Sequence, residues 1–265
     1  MLKIATWNVN SLRVRLPQVL NWLNQHQPDL FALQETKVED ENFPQSVFEE
    51  AGYHVTFTGQ KAYNGVAIIS RHPPQNILKD LPNVDNIQKR LIAATYPVSA
   101  NNYYPLRFIN LYVPNGQSVG SEKYSYKLLW LEQLEKFLEQ EMNQHEHIVI
   151  LGDFNIAPAP EDVYDPVKFE GRILFSEPER AHFKRLISMG FYDAFRQIPQ
   201  EPNTFSWWDY RTFAFRRNHG LRIDHILITP FLAKSMMHCY IDKELRAEQP
   251  PSDHAPVIAT FEDPT

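Results

Sequence analysis

Two side chains able to serve phosphodiester cleavage stand at the end of one apolar run. Ile148 to Leu151 is apolar, Gly152 interrupts it, and Asp153 and Asn155 follow. Short apolar runs bounded by glycine read as buried strands, and strand alternation predicts that residues two apart face the same way. The carboxylate could then orient or deprotonate a water while the amide donates to a developing oxyanion. Gly, Asp and Asn are also turn formers, so a plain strand-end turn explains the same three residues.

The arrangement recurs along the chain. Asn8 and Asn10 follow the run Leu2–Trp7, Glu35 follows Phe31–Leu33, and Tyr112 and Asn115 follow Phe108–Leu111. Asp224 and His225 sit within Ile223–Ile228, and Asp253 and His254 precede Val257–Thr260. One polar group at a strand end is ordinarily a turn former. Several such clusters, rich in Asn, Asp, Glu and His, predict a pocket at one end of a rigid sheet. The oxygens of Glu35 and Asp253 suit a hard divalent ion such as Mg²⁺, which needs few protein ligands. Asp224 is placed to orient His254, or to pair with its neighbour Arg222; Asp253-His254 is alternatively a helix cap or a structural pair. No serine or cysteine nucleophile has a convincing setting, which favours attack by an activated water.

The elements that must position these groups can be read coarsely. Strands are predicted over Leu2–Trp7, Asp29–Gln34, Val55–Thr58, Gly65–Ser70, Leu91–Tyr96, Leu106–Val113, residues 148–151, Ile223–Ile228, Tyr240–Leu245 and Ala255–Phe261. Asn64-Gly65 marks the turn into the fourth of these. Helical spacing covers Leu16, Val19, Leu20 and Leu23, then Phe43–Ala51, Tyr126–Met142 and Pro178–Met189, while Ala157–Lys168 reads as a loop. Hairpins mixed with strand–helix alternation predict a layered α/β or α+β sandwich, with residues 1–265 as a single domain.

Composition narrows the class. With 265 residues, 43% hydrophobic and 22% charged, the chain can bury a sizeable core. The lone Cys239 excludes an internal disulfide and a cysteine zinc site, and is expected to pack in a strand in a reducing, cytoplasmic setting. No signal peptide and no apolar stretch long enough for a membrane span are visible. The net charge of −6 offers no global argument for nucleic acid, yet Trp207 to Arg222 carries four arginines against Asp209. Glu132 to Glu141 reads as a solvated acidic face. No dinucleotide or P-loop glycine fingerprint is present.

Seven ordered segments resemble one family. They are Thr6-Trp7-Asn8-Val9-Asn10-Ser11-Leu12, Leu33-Gln34-Glu35-Thr36-Lys37, Gly59-Gln60-Lys61, Tyr63-Asn64-Gly65-Val66-Ala67, Leu151-Gly152-Asp153-Phe154-Asn155-Ile156-Ala157-Pro158, Gly220-Leu221-Arg222-Ile223-Asp224-His225-Ile226-Leu227 and Pro251-Ser252-Asp253-His254-Ala255-Pro256-Val257. The chain resembles the exonuclease III family of abasic-site endonucleases, within the endonuclease/exonuclease/phosphatase superfamily. The resemblance implies a four-layered α/β sandwich of two packed mixed sheets flanked by helices. It implies a Mg²⁺- or Mn²⁺-dependent enzyme that incises duplex DNA 5′ to abasic sites, with 3′-repair and 3′-to-5′ exonuclease activity. It further implies a monomer acting on double-stranded DNA with abasic sites or blocked 3′ ends, without a membrane partner.

By the same resemblance Glu35 is the principal metal ligand, with Asn8 and Asp253 helping to form the metal site. Asp153 prepares the attacking water, Asn155 holds that acid or the phosphate, and Tyr112 lies near the scissile group. His254 contacts the phosphate and Asp224 orients it; with two metals, Asp153, Asn155 and His254 also become ligands. Asn10 stands where some relatives carry Asp, so that charge is missing. Trp207, Leu221 and Ile223 line the pocket for the extrahelical sugar, one of Trp207 and Trp208 being core instead. Arg90, Asn115 and Arg211 contact DNA, and Lys123 and Arg217 are further candidates. Other readings are a different hydrolase of the superfamily, or a non-catalytic nucleic-acid-binding relative. The second predicts loss of some of Glu35, Asp153, Asp224 or His254, all of which are present.

Overall fold

A computed structural model describes residues 1–84, 88–98 and 104–262. Its strands are β1 Leu2–Asn8, β2 Leu30–Gln34, β3 His54–Thr58, β4 Val66–Ser70, β5 Gln75–Leu78, β6 Leu91–Val98, β7 Tyr104–Tyr112, β8 Ile148–Asp153, β9 Tyr192–Asp193, β10 Asp224–Ile228, β11 Met236–Ile241 and β12 Val257–Phe261. They form two six-stranded sheets, in the orders β11-β12-β1-β2-β4-β3 and β5-β6-β7-β8-β10-β9. Each sheet is mixed. Its central pair is parallel, β1 with β2 and β7 with β8, and the other pairs are antiparallel. The parallel pairs are joined by crossover helices, α1 Leu12–His26 and α3 Glu122–Gln144. The shorter α2 spans Gln45–Glu50, α4 Pro166–Phe169 and α5 Glu177–Ser188. The result is the expected four-layered α/β sandwich.

The pleat explains the layering. On β8, Val149 and Leu151 join the core between the sheets, while Ile148 and Ile150 join the core beneath α3 and α5. On β1, Leu2 and Ile4 face the other sheet, and Ala5 and Trp7 pack with the side chains of α1. The inward rows change character along their length. Leu2 and Ile4 give way to Thr6 and Asn8, Leu30 and Ala32 to Gln34, Leu106 and Phe108 to Asn110, and all of these polar residues are buried. The inter-sheet layer is therefore apolar at one end and polar at the other. Gln34 Nε2 donates to Thr6 Oγ1 at 2.8 Å and, across the sheets, to Asn110 Oδ1 at 2.7 Å. Asn110 Nδ2 returns bonds to the Leu33 and Ala67 carbonyls at 2.9 and 2.8 Å. This buried amide lattice bridges the two sheets and pins their spacing and register, although among the described residues Gln34 Oε1 is left without a hydrogen-bond partner.

Several sequence expectations shift. The strand expected at Tyr240–Leu245 is Met236–Ile241, followed by a short helix Glu244–Ala247. β5 was not expected, and Ala157–Lys168 contains a 3₁₀ turn, Pro160–Asp162, and most of α4. The acidic face of α3 is only partly solvated. Glu141 is buried against Arg107, and Glu135 turns in to His182 and Arg185. Cys239 is buried, as expected. Among the described residues no helix is long and apolar enough to cross a membrane.

Candidate active site

The polar ends of the inward rows converge. In β8 the row Val149, Leu151 continues to Asp153, which pairs in register with Tyr112 on one side and Asp224 on the other. Gly152 between them has φ +138°, and a Cβ there would stand 1.9 Å from the Leu111 carbonyl oxygen. Only glycine lets β7 approach this closely. From the other sheet, Asn8 ends β1, and Glu35 lies one residue beyond β2. Asn8 Nδ2 donates to Glu35 Oε1 at 3.0 Å and to Asp153 Oδ2 at 2.9 Å, bridging the two sheets with one amide.

His254 completes the group from the turn before β12. Its Nδ1–H faces Asp224 Oδ2 at 2.9 Å, and its Nε2 faces Asp153 Oδ2 at 3.7 Å. Ser206 donates to Asp224 Oδ2 at 2.6 Å, and Ser252 Oγ accepts the His254 backbone N–H at 3.2 Å while donating to the Asn8 carbonyl at 2.6 Å. These two fully buried serines fix the imidazole and its partner. Neither was assigned a role from the sequence, where a serine beside Trp or Asp carries no distinguishing signal.

The electrostatics are those of a site short of positive charge. Burial pushes the Asp153 carboxyl up to about 7, and Asp224 and Glu35 push the same way against His254 and the Asn8 amide. Burial opposes charge on His254 as well, but Asp224, Asp153 and Asp253 outweigh it and raise the imidazole to about 10. The Tyr112 phenol is lifted well above 10, first by burial and next by Glu35, to which it is hydrogen-bonded. It therefore stays a donor. Ligand atoms of Glu35, Asp153 and His254 lie within 4.8 Å of one another. Converging oxygen donors with excess buried negative charge fit a hard divalent cation.

Other expected site residues take different places. Asp253 is spoken for: Oδ1 accepts from Asn10 Nδ2 at 3.0 Å and Oδ2 from Trp207 Nε1 at 2.9 Å. Asn155 lies past the end of β8 with φ +49°, so pleat alternation does not orient it. Its backbone N–H donates to Asp153 Oδ1 at 2.9 Å, its Nδ2 to the Val113 carbonyl at 2.9 Å, and its Oδ1 accepts from Asn115 at 3.2 Å. Asp224 does not pair with Arg222, which binds Asp162 and Asp193 instead. Lys37, assigned no role from the sequence, bonds Glu35 at 2.9 Å and also Asn10.

The flanks of the site divide into two regions. Trp208 is the core member of its pair, fully buried, while Trp207 is half-buried over Leu221 and Ile223 in a small apolar cluster with Val163 and Phe175. On the opposite side an open cleft of about 720 Å³ is lined by Tyr63, Asn64, Arg90, Asn115 and Lys123, among others. The Arg90 guanidinium stacks 4.6 Å from the Tyr112 ring centre. Arg211 is exposed and folds back on Asp209 at 2.7 Å.

Residues 5–254 match the endonuclease/exonuclease/phosphatase family model. The chain is 38% identical over 269 residues to exodeoxyribonuclease III of Haemophilus influenzae, covering 98% of this chain and 100% of that one. Its structure superposes on the 3′ phosphatase NExo from Neisseria, solved with a product DNA hairpin, with TM-score 0.94 and 45% identity over 99% of this chain and 100% of that one. An AP endonuclease from Archaeoglobus fulgidus matches with TM-score 0.92 and 42% identity over 99% and 100% of the two chains.

Proposed function

The chain belongs to the endonuclease/exonuclease/phosphatase family, and on that premise we propose that it is a DNA-repair phosphodiesterase of the exonuclease III type. Its substrates in this reading are duplex DNA with abasic sites, incised on the 5′ side, and duplex DNA with blocked or recessed 3′ ends. The observation that carries it is the convergence of Glu35, Asp153, Asp224 and His254 at the polar end of the inter-sheet layer.

Each residue has a task that its surroundings support. Asp153, once ionised, accepts a proton from the water that attacks phosphorus in line. Asn155 orients that carboxylate through its backbone N–H, and Asn8 holds it against Glu35. His254, kept protonated by Asp224, presents its Nε2–H to the non-bridging oxygens. Tyr112 donates its phenolic hydrogen at the same place. A divalent cation, Mg²⁺ or alternatively Mn²⁺, would be held by Glu35 and Asp153 with Asn8 and His254 beside it, and would supply further neutralisation of phosphate charge. Trp207 offers an apolar face suited to a sugar without a base, whose extrusion from the helix costs little stacking; Leu221 and Ile223, expected to line the pocket, are fully buried and back that face instead. Arg90, Asn115 and Arg211 reach the backbone phosphates on either side.

The test uses a duplex with one abasic-site analogue and a second with a recessed, 3′-phosphorylated end, each with Mg²⁺ or with EDTA. Incision of the first and trimming of the second, both lost in EDTA, are expected. Tight binding of folded protein to both duplexes without cleavage in Mg²⁺ would instead identify a non-catalytic DNA-binding relative.

A further inference from the structure

A buried ion pair stands behind the catalytic loop. Lys127 on α3 and Glu179 on α5 are both fully buried and salt-bridged. An ammonium has three donors. Lys127 directs them at Glu179 Oε1, at the Asn155 carbonyl at 2.7 Å and at the Asn115 carbonyl at 3.2 Å. Glu179 is saturated in turn, accepting from the backbone N–H groups of Leu174 and Ser176 at 3.1 and 2.9 Å and from Ser176 Oγ at 2.6 Å. Replacing such a pair with apolar residues is often neutral or stabilising, so stability alone is a weak reason for it.

The carbonyls it holds supply a better reason. Asn155 has positive φ, which turns its carbonyl away from the strand ladder and into the interior. The same residue presents its N–H to Asp153 Oδ1 from the preceding peptide, so holding its carbonyl fixes the residue whose N–H aims Asp153. Asn115 closes the loop from the other side through its bond to Asn155 Oδ1. A second feature makes room for the lysine. Gly116 has φ +88°, and a Cβ there would lie 3.1 Å from Lys127 Cδ and 3.0 Å from Ile173 Cδ1. The loop thus passes closely over the lysine stem.

We propose that Lys127 is a positioning residue for phosphodiester cleavage: its ammonium, anchored by Glu179, holds the Asn115 and Asn155 carbonyls and thereby fixes Asp153 for attack. The inference rests on the role given above to Asn155 and Asp153. Misplacing a reacting group by about 1 Å costs roughly 10²-fold in rate, which sets the scale of the effect.

The test must separate positioning from stability. Lys127→Met alone strands Glu179 and can lower stability, so the informative variant is Lys127→Met with Glu179→Gln, which removes both charges. Duplex binding in EDTA, thermal melting and cleavage kinetics in Mg²⁺ are measured for it, for Asn155→Ala and for the triple combination. Expected are a folded double variant, DNA affinity and KM within about 3-fold of the parent, and kcat lower by roughly 10²-fold. Adding Asn155→Ala should then cost little more, since both changes loosen one loop. A folded double variant with parental kcat beside a slow Asn155→Ala overturns the role of Lys127. Parental kcat in Asn155→Ala, which keeps the backbone N–H but loses the side-chain ties to Val113 and Asn115, would show that loosening this loop does not misplace Asp153, and would overturn the inference.

Discussion

Two groups of buried charge flank the start of β10, one on each face. Asp224 points between the sheets to His254 and Asp153; the next residue, His225, points the other way, into a cluster with Arg222, Asp162 and Asp193. Both groups are buried and both contain strongly displaced groups. They differ in balance. In the outer cluster Arg222 and Arg196 meet Asp162 and Asp193, and burial together with Arg222 keeps His225 neutral, down to about 4, between the Ile156 carbonyl and Arg222. In the inner cluster, among the described residues, Glu35, Asp153 and Asp224 form ion pairs with His254 and Lys37 alone. The outer group is complete as it stands and ties the loop after β8 to β10. The inner one is left wanting a cation. Burial and displaced titration do not by themselves mark a site; uncompensated charge does.

The sharpest way to break this contrast is to neutralise one acid in each group. Asp153→Asn should lower cleavage by roughly 10³-fold or more while the protein melts no lower than the parent, because a buried acid among acids is removed. A variant that cleaves normally would end the assignment. In the outer group Arg222→Met should leave Asp193 without its ion pair and Asp162 with Arg196 alone, and destabilise by about 3–5 kcal/mol in denaturant titrations. Its remaining folded fraction should cleave at a rate near the parent's.

The histidines sharpen the contrast through pH. His225 is held below its ordinary value, so the unfolded chain binds its proton first as pH falls. Its contribution is fully present above about 6.5 and is lost between there and about 4, amounting to about 3 kcal/mol. Denaturation at pH 7 and pH 4.5 should show the loss, and His225→Gln should flatten it. His254 has the opposite sign: raised in the folded protein, it stabilises below its unfolded value and that contribution fades as pH rises through about 10.

Cation binding gives a smaller effect with the same logic. Mg²⁺ at 100 times its dissociation constant should stabilise by about 2.7 kcal/mol. The gain should persist in Arg222→Met and shrink in Asp153→Asn; equal gains in all three would place the ion elsewhere. Least of all, Arg211→Ala should leave melting unchanged and weaken duplex binding by a few fold, with the salt dependence reduced by about one phosphate contact. An unaltered salt slope would remove Arg211 from the DNA interface.

Much of the architecture was legible because burial on one face of a pleated strand imposes a period of two. The row ending in Asp153 could be read that way, and the helical patterns between strands pointed to a layered sandwich, while the parallel pairing of β1 with β2 and of β7 with β8 emerged only in the structure. Asn155 could not, since β8 stops at Asp153 and the next residues turn through positive φ. Glu135 and Glu141 misled for a related reason. A helical glutamate among other glutamates reads as solvated until a basic side chain from elsewhere in the chain packs against it. Lys127 and Glu179 are 52 residues apart and meet only when α3 and α5 lie side by side.

The sequence by itself determined which residues could do chemistry and which rows they end, because residue type and strand period are local properties. Only the tertiary structure decided which partner each charge took: Asp224 with His254 rather than Arg222, Asp253 with Asn10 and Trp207, Lys127 with two loop carbonyls. Coulombic attraction and desolvation depend on distance and burial, and both are set by how the two sheets and their helices pack.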